Sequence, residues 1–446
     1  MIITPLMKHQ AEGLKYLKGH DPCALFWKMG TGKSMTALAY AEYVKAKRIL
    51  ITSDKNNIVN TWPDQIYSHT DYGVEVRPKA LTRASGDHDV FCTCVNYDLL
   101  KSHFRMYMKV PWDMWIGDES SEFKDQRTER HKRLDDVVRN IPHKVILNGE
   151  PMTERLEDLF GQFKILDGGR SLGRSIVRFR HQYMKLREDG YGWEPRRNSY
   201  TDIQRAVEDV SHWMMDPDII MPTQLHKLVR VDLTPEQRKH DDELKEWFMS
   251  TMNEHTIDVK YAAALFIKRI QLANGIFRYG SGEGEAQSWT PVDNNKMPTL
   301  AKLVRQNPYA KIAVWHQYIP ETEYIHTYLD HDGLPHMTYT GPNDPEPLDR
   351  FRRQDRGVLL IRNSMCKGLN QLADADIAVI YSDPLSYRSR VQLMARSQRM
   401  TSKNKITNVV HLITRGGADE VVYNMLSRKR DAALTLKALR DIVCHS

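Results

Sequence analysis

Cysteine is scarce in this sequence. Five cysteines stand among 446 residues, Cys92 and Cys94 alternate along one apolar run, and there is no Cys-x-x-Cys pair. That pattern argues against a disulfide scaffold and against a zinc site, and the thiols read as buried and reduced. No apolar run is long enough to cross a bilayer. The stretch Met1 to Lys8 lacks the basic region, apolar core and cleavage site of a secretory signal. The expectation is a protein that stays in the cytoplasm, with no membrane partner. Low-complexity tracts are missing too. Neither charge sign dominates: the net charge of +7 suits a polyanionic partner without demanding one. What is present is 41% hydrophobic and 27% charged residues. That is the balance of a globular protein, over a length that calls for two or three domains.

A glycine is missing at the most informative place. Met29-Gly30-Thr31-Gly32-Lys33-Ser34 follows the apolar run Cys23 to Trp27 and precedes a stretch of helical period, Met35 to Val44. Strand, glycine loop and Lys-Ser at a helix start make a phosphate cradle. The glycines let the backbone turn its N–H groups toward an anion, and the helix start adds partial positive charge. Lys33 would reach the β- and γ-phosphates, and the Ser34 hydroxyl would hold Mg²⁺. The full phosphate-loop pattern has a further glycine five residues before Gly32, where this chain has Trp27. Taken alone, the loop also reads as an ordinary helix start.

Residues 1–165 alternate short apolar runs, at residues 23–27, 48–52, 89–95, 112–118 and 144–147, with stretches of helical pattern. This predicts an α/β lobe with a doubly wound parallel sheet. Ligands of such sheets sit at the carboxyl ends of the strands, where the loops after Trp27, Asp118 and Leu147 fall. Residues 166–222 form a different, basic region that reads as a helical protrusion. Between Leu166 and Tyr200 eight Lys or Arg, among them Arg178 and Arg180, stand against four acids, with Phe179, Tyr183, Tyr191 and Trp193 interleaved. It is either a solvated face or a DNA-backbone contact. Residues 223–295 lead into a second lobe: a strand ends at Leu233, and Thr234-Pro235-Glu236-Gln237 is a helix-capping signature. From 296 to 446 strand–helix alternation resumes, with strands expected at 311–316, 336–340, 357–361, 376–381 and 406–413.

Three further stretches carry chemistry. Trp115-Ile116-Gly117-Asp118-Glu119 ends an apolar run in two carboxylates. Asp118 could share Mg²⁺ with Ser34, and Glu119 could orient and deprotonate a water; an Asp-Glu pair by itself is also common on surfaces. Leu147-Asn148-Gly149-Glu150-Pro151 reads as a strand–turn, with Asn-Gly making the turn. Gln392, Arg396 and Arg399 share a helical face at spacings of four and three. They are either a basic surface or arginine fingers that stabilise charge on a γ-phosphate.

The order of these motifs resembles helicase superfamily two and, within it, the Swi/Snf-like DNA translocases. Leu6-Met7-Lys8-His9-Gln10-Ala11-Glu12-Gly13 is similar to that family's first motif, Leu-x-x-x-Gln-x-x-Gly, which implies that Gln10 reads adenine. Met29 to Ser34 is similar to Met-Gly-x-Gly-Lys-Thr, which also lacks the early glycine. Asp118 and Glu119 match the start of Asp-Glu-Ala-His, with Ser120 and Ser121 in place of Ala and His. Leu147 to Pro151 with Leu156 to Phe160 resembles Leu-Thr-Gly-Thr-Pro followed by Leu-Glu-Glu-Leu-Phe. Val231 to Gln237 resembles the opening of the family's second lobe, and Ala313 to Gln317 its first strand. Ser364 to Asn370 is a shortened fifth motif that keeps Gly368 and Asn370. Asp383-Pro384 with Gln392, Arg396 and Arg399 matches the sixth motif at the family's spacing.

The resemblance implies two RecA-like parallel-sheet lobes with helical protrusions, and ATP with Mg²⁺ as cofactors. It implies Lys33, Asp118, Glu119, Arg396 and Arg399 as catalytic residues. Gln10, the loop Met29, Gly30, Thr31, Gly32, Lys33 and Ser34, and Gln392 would bind the nucleotide. Lys55, Asn96, Tyr97, Gly149, Ser364, Gly368 and Asn370 would join Arg178 and Arg180 as nucleic-acid contacts. The activity implied is ATP-driven translocation along duplex DNA. The alternative is unwinding of forked or branched DNA, as in compact viral members, with the protrusion splitting strands. A non-catalytic ATP-sensing scaffold is opposed by the presence of Lys33, Glu119 and Arg399. DNA, duplex or branched, is the expected partner of a monomer whose specificity comes from protein partners, from the protrusion or from DNA structure.

Overall fold

The computed structural model describes residues 1–78, 88–149, 151–152, 155–188, 192–214, 223–254, 259–278, 289–341, 343–366, 369, 372, 374–396 and 406–428. The chain divides into two lobes at Ile220–Met221. The strands of the first are β1 (Cys23–Trp27), β2 (Arg48–Ser53), β3 (Gly73–Val76), β4 (Phe91–Asn96), β5 (Met114–Asp118) and β6 (His143–Asn148). A small antiparallel hairpin of β7 (Met184–Leu186) and β8 (Trp193–Pro195) follows, and then β9 (Ser211–Met214). Seven of these make one parallel sheet in the order β3-β4-β2-β5-β6-β1-β9.

Parallel strands covered on both faces read as unbroken apolar runs, and β1 is buried along its whole length. Successive residues of a strand point to opposite faces, so the sheet feeds two cores. Phe26, Leu50, Trp115 and Ile146 pack with residues of the helices Tyr97–Ser102, Glu129–Val138 and Glu157–Asp167. Leu25, Ile51, Ile116 and Leu147 pack with residues of Lys8–Gly19, Lys33–Tyr43 and Trp62–His69. The five strands expected in this lobe are all present. The edge strands β3 and β9 are additions, and β9 carries the chain from the basic region back to pair with β1.

In the second lobe β10 (Thr223–Asp232), β13 (Lys311–His316), β14 (Met337–Tyr339), β15 (Gly357–Arg362), β16 (Ile377–Ile380) and β17 (Ile406–Arg415) make a parallel sheet. β11 (Ile276–Arg278) and β12 (Trp289–Pro291) form a separate antiparallel pair. The order in the parallel sheet is β10-β17-β16-β13-β15-β14. The helices Pro235–Glu254 and Val259–Ala273 lie between β10 and β11. The capping signature works as expected: Gln237 N donates to Thr234 Oγ1 at 3.2 Å, and Thr234 N donates to Gln237 Oε1 at 3.1 Å. No described helix is long and apolar enough to cross a membrane. Cys23, Cys92, Cys94 and Cys366 are buried free thiols.

Candidate active site

Strand register assembles the site in the first lobe. β6 pairs Asn148 with Phe26 of β1 and Leu147 with Asp118 of β5, while β2 pairs Thr52 with Gly117. The ends of β1, β2, β5 and β6 therefore come level at one edge of the sheet, the edge where doubly wound folds hold ligands. Off β1 runs the glycine loop, with Gly30 at φ +81° and Gly32 at φ +77°, a backbone that L-residues rarely adopt. A Cβ on Gly32 would stand 2.1 Å from Gln10 Nε2, so a side chain there would push the Gln10 amide off the loop. The helix Lys33–Tyr43 starts directly after it. Lys33 Nζ folds back onto the carbonyls of Trp27 at 2.9 Å and Lys28 at 3.3 Å. Thr31 is buried and its hydroxyl closes the loop on Lys28 O at 2.8 Å. Ser34 is half-buried beside Lys33. Gln10 Oε1 accepts from Met7 N at 2.9 Å, and its Nε2 reaches Gly32 O at 3.4 Å, so the first motif is fastened to the loop. Met29 faces the third motif: a Cβ on Gly149 would come within 2.6 Å of its Cγ.

Asp118 and Glu119 leave the end of β5 in distinct conformations. Asp118 Oδ2 accepts from Ser53 Oγ and from Trp62 Nε1, each at 3.0 Å, and Oδ1 accepts from Glu119 N at 2.9 Å. Burial, with the charge of Glu119 second, raises its pKa to about 6, against the pull of these donors and of Lys33. Glu119 is 8% exposed and sits in the left-handed region at φ +51°, a strained backbone for a non-glycine residue that sets where its carboxylate points. Ser120 accepts from Asn148 Nδ2 at 3.1 Å and donates to Gln162 Oε1. The carboxylate motif is thus tied to the third motif through Ser120, while Ser121 Oγ is buried with no partner among the described residues. Trp62 and Gln162 escaped the sequence reading because nothing in their own spacing marks them. The residues present fit an Mg²⁺–nucleotide: a glycine cradle at a helix start, a lysine on it, and a fixed carboxylate within reach of that lysine's charge.

The profile of the SNF2-related domain matches residues 9–258, more than half of the chain. The chain belongs to the SNF2-related family. It is 25% identical over 439 residues to p41 of Acyrthosiphon pisum secondary endosymbiont phage 1, covering 90% of this chain and 91% of that protein. It is 23% identical over 447 residues to the Caenorhabditis elegans homologue of SWI/SNF-related matrix-associated actin-dependent regulator of chromatin subfamily A-like protein 1. That match covers 96% of this chain but 61% of the worm protein. Human chromodomain-helicase-DNA-binding protein 1 is 20% identical, with 95% of this chain and 26% of that protein covered. The Sulfolobus solfataricus SWI2/SNF2 ATPase core in complex with dsDNA is similar at 16% identity and a TM-score of 0.43, over 97% of this chain and 92% of that one.

Membership in the SNF2-related family makes the chain an ATP-hydrolysing enzyme of Swi/Snf type. In its second lobe Gln392 is buried on the helix Tyr387–Met394. Arg396 lies just beyond that helix, 4% exposed, with its Nε lacking a partner among the described residues. Arg399, Gly368 and Asn370 lie outside the described residues. The expected nucleic-acid contacts fall into two groups. Asn96, Tyr97 and Gly149 are buried. Tyr97 Oη donates to Asp118 O and to Thr52 O, and Asn96 Oδ1 accepts from Arg77 Nε at 3.2 Å, so these side chains brace strand ends. Lys55, Arg178 and Ser364 are exposed. Arg180 is paired with Glu157 at 2.5 Å, and Lys185 with Glu194 at 2.9 Å across the β7–β8 hairpin. Phe179 and Tyr183 point into the core. Arg174, Arg178, Arg187 and Arg197 remain exposed, without an ion pair among the described residues.

Proposed function

We propose that this SNF2-related chain is a DNA-dependent ATPase that translocates along duplex DNA. The observation that carries the reading is the cluster at the ends of β1 and β5: a lysine-tipped glycine cradle next to a fixed carboxylate and a strained glutamate. Lys33 and the loop's N–H groups would hold the β- and γ-phosphates, and Gln10 the base, by exchanging its 3.4 Å contact with Gly32 O. Ser34 and Asp118 would hold Mg²⁺, which neutralises phosphate charge. Glu119 takes a proton from water as the water oxygen bonds to the γ-phosphorus and the bond to the β-γ bridging oxygen breaks. Arg396 and Arg399 would stabilise that charge. For DNA the support is the names of relatives, one a chromodomain-helicase-DNA-binding protein, and the exposed arginines of the first lobe.

A second reading, strand separation at forks, is favoured by the β7–β8 hairpin, which presents Leu186 at 54% exposure beside basic residues. One set of assays separates the two. ATPase rates are measured without nucleic acid and with single-stranded, duplex, forked and four-way-junction DNA and RNA, alongside release of a labelled strand from forks. Duplex stimulation without strand release supports translocation; release supports unwinding. Lys33→Ala and Glu119→Gln are expected to lose the DNA-stimulated rate by about 100-fold or more. An unchanged rate in both would remove the site assignment.

A further inference from the structure

A second cluster lies on the other lobe, outside the ATP site. His326 and Asp330 stand four residues apart on the helix Ile319–His331, and therefore on one face. His336 immediately precedes β14, the edge strand of the second sheet. One ligand atom of each lies within 4.8 Å of the other two.

Proton counting gives the cluster its meaning. His336 Nδ1 meets Leu334 O at 2.9 Å. A carbonyl only accepts, so Nδ1 carries the proton and Nε2 presents its lone pair. That lone pair faces His326 Nδ1 at 2.6 Å. The other ring nitrogen of His326, Nε2, faces Asp330 Oδ2 at 3.4 Å. The His326 ring thus stands between two acceptors, and a neutral imidazole has one proton to give. A cation completes the set.

We propose that His326, Asp330 and His336 form a binding site for a divalent transition-metal ion of the zinc class. Two imidazoles and one carboxylate are the ligands such ions take, with a water in the fourth position. The carbonyl on the far nitrogen of His336 is the kind of bond that orients a metal-bound histidine. The His336 side chain is 3% exposed and so fixed in place, while those of His326 and Asp330 are 55% and 60% exposed and open to solvent. Tetrahedral zinc with bonds of about 2.0–2.1 Å sets its ligand atoms about 3.3 Å apart, which the exposed His326 ring can reach by a small rotation. The ion would clip the helix to the start of the edge strand.

The test uses the full chain, stripped with a chelator and titrated with Zn²⁺ against a chromophoric chelator at neutral pH. Wild type is expected to take up one equivalent more than His326→Ala, and Asp330→Asn to bind that equivalent at least about tenfold more weakly. Zn²⁺ should raise the thermal midpoint of wild type and leave that of His326→Ala unmoved. His326 is exposed, so its variant retains the fold, which circular dichroism checks. Equal stoichiometry and affinity in wild type and His326→Ala would overturn the proposal. None of these readouts depends on ATP hydrolysis.

Discussion

Trp27 occupies the position where the longer phosphate-loop pattern has glycine, and its ring is built into the first lobe. It is fully buried, its Nε1 donates to His212 Nδ1 on β9 at 2.8 Å, and His9 meets it edge-on. Gly13 exists for this ring: a Cβ there would lie 2.2 Å from Trp27 Cζ2. Since the ring is held from β9 it cannot swing aside. Gly13→Ala is therefore expected to cost about 1–3 kcal/mol, read as a lower urea midpoint with unchanged slope. A second residue carries a pH signature. His316 is fully buried at the end of β13, and burial lowers its pKa from 6.5 to about 3. The unfolded chain takes up the proton near pH 6.5 and the folded chain does not. His316 therefore costs no stability above that value, and stability is lost progressively as pH falls from about 6.5 toward 3. The stability advantage of wild type over His316→Gln should shrink by about 1.4 kcal/mol per pH unit through this window. A pH-independent difference in denaturation free energy would contradict the assignment.

Elements of the second lobe are held to one another by a buried charge. Lys296, at the start of the helix Lys296–Gln306, is 1% exposed. Its Nζ donates to Asn274 Oδ1 at 2.7 Å beyond the helical pair and to Tyr381 O at 3.0 Å past β16. It also pairs with Asp419 Oδ2 at 2.7 Å, in the helix over 418–428. Removing one partner leaves the other charge buried and unpaired, so Lys296→Ala is expected to destabilise this lobe by about 3–5 kcal/mol. Chemical denaturation followed by tryptophan fluorescence would show it as an early transition separate from that of the first lobe. No such knot was legible in the sequence, because its members are spread over more than a hundred residues. Legibility followed burial and contiguity. The interior strands β1, β2, β5 and β6 are continuous apolar runs because both faces are covered. The edge strands β3 (Gly-Val-Glu-Val) and β9 (Ser-His-Trp-Met) lack such a run, and only the last part of β10 was recognisable, since its first half is largely exposed. The site divides in the same way. Lys33, Ser34, Asp118 and Glu119 lie in contiguous motifs, whereas the donors that fix Asp118 come from β2 and from the helix Trp62–His69. Tyr97, expected at DNA, has its hydroxyl on the Asp118 carbonyl at the end of β5, a contact that its place after β4 in the sequence does not reveal.

At the scale of the molecule, a net charge of +7 is too small to bind DNA everywhere, so the distribution of cations decides. Internal pairing removes Arg180 and Lys185 from the basic region, and Arg170 and Arg196 each spend Nε on a backbone carbonyl. What remains exposed without such a partner among the described residues of this region is Arg174, Arg178, Arg187 and Arg197, with Lys55 exposed elsewhere on the same lobe. Guanidinium groups on phosphates release counterions, at a slope of about 0.9 in log affinity against log salt for each contact with duplex DNA. They carry no base information. If the proposed DNA-dependent ATPase grips the backbone through these residues, the DNA concentration for half-maximal stimulation should rise linearly on a log–log plot between about 50 and 200 mM salt. Scrambling the duplex sequence should leave it unchanged. The triple variant Arg178→Ala, Arg187→Ala, Arg197→Ala should weaken stimulation and lower the slope by about 3, one per lost contact, with the DNA-free rate intact because none of the three touches the cradle. A triple variant whose slope equals that of wild type would move the DNA path away from the hairpin, and would remove with it the structural support for strand separation there.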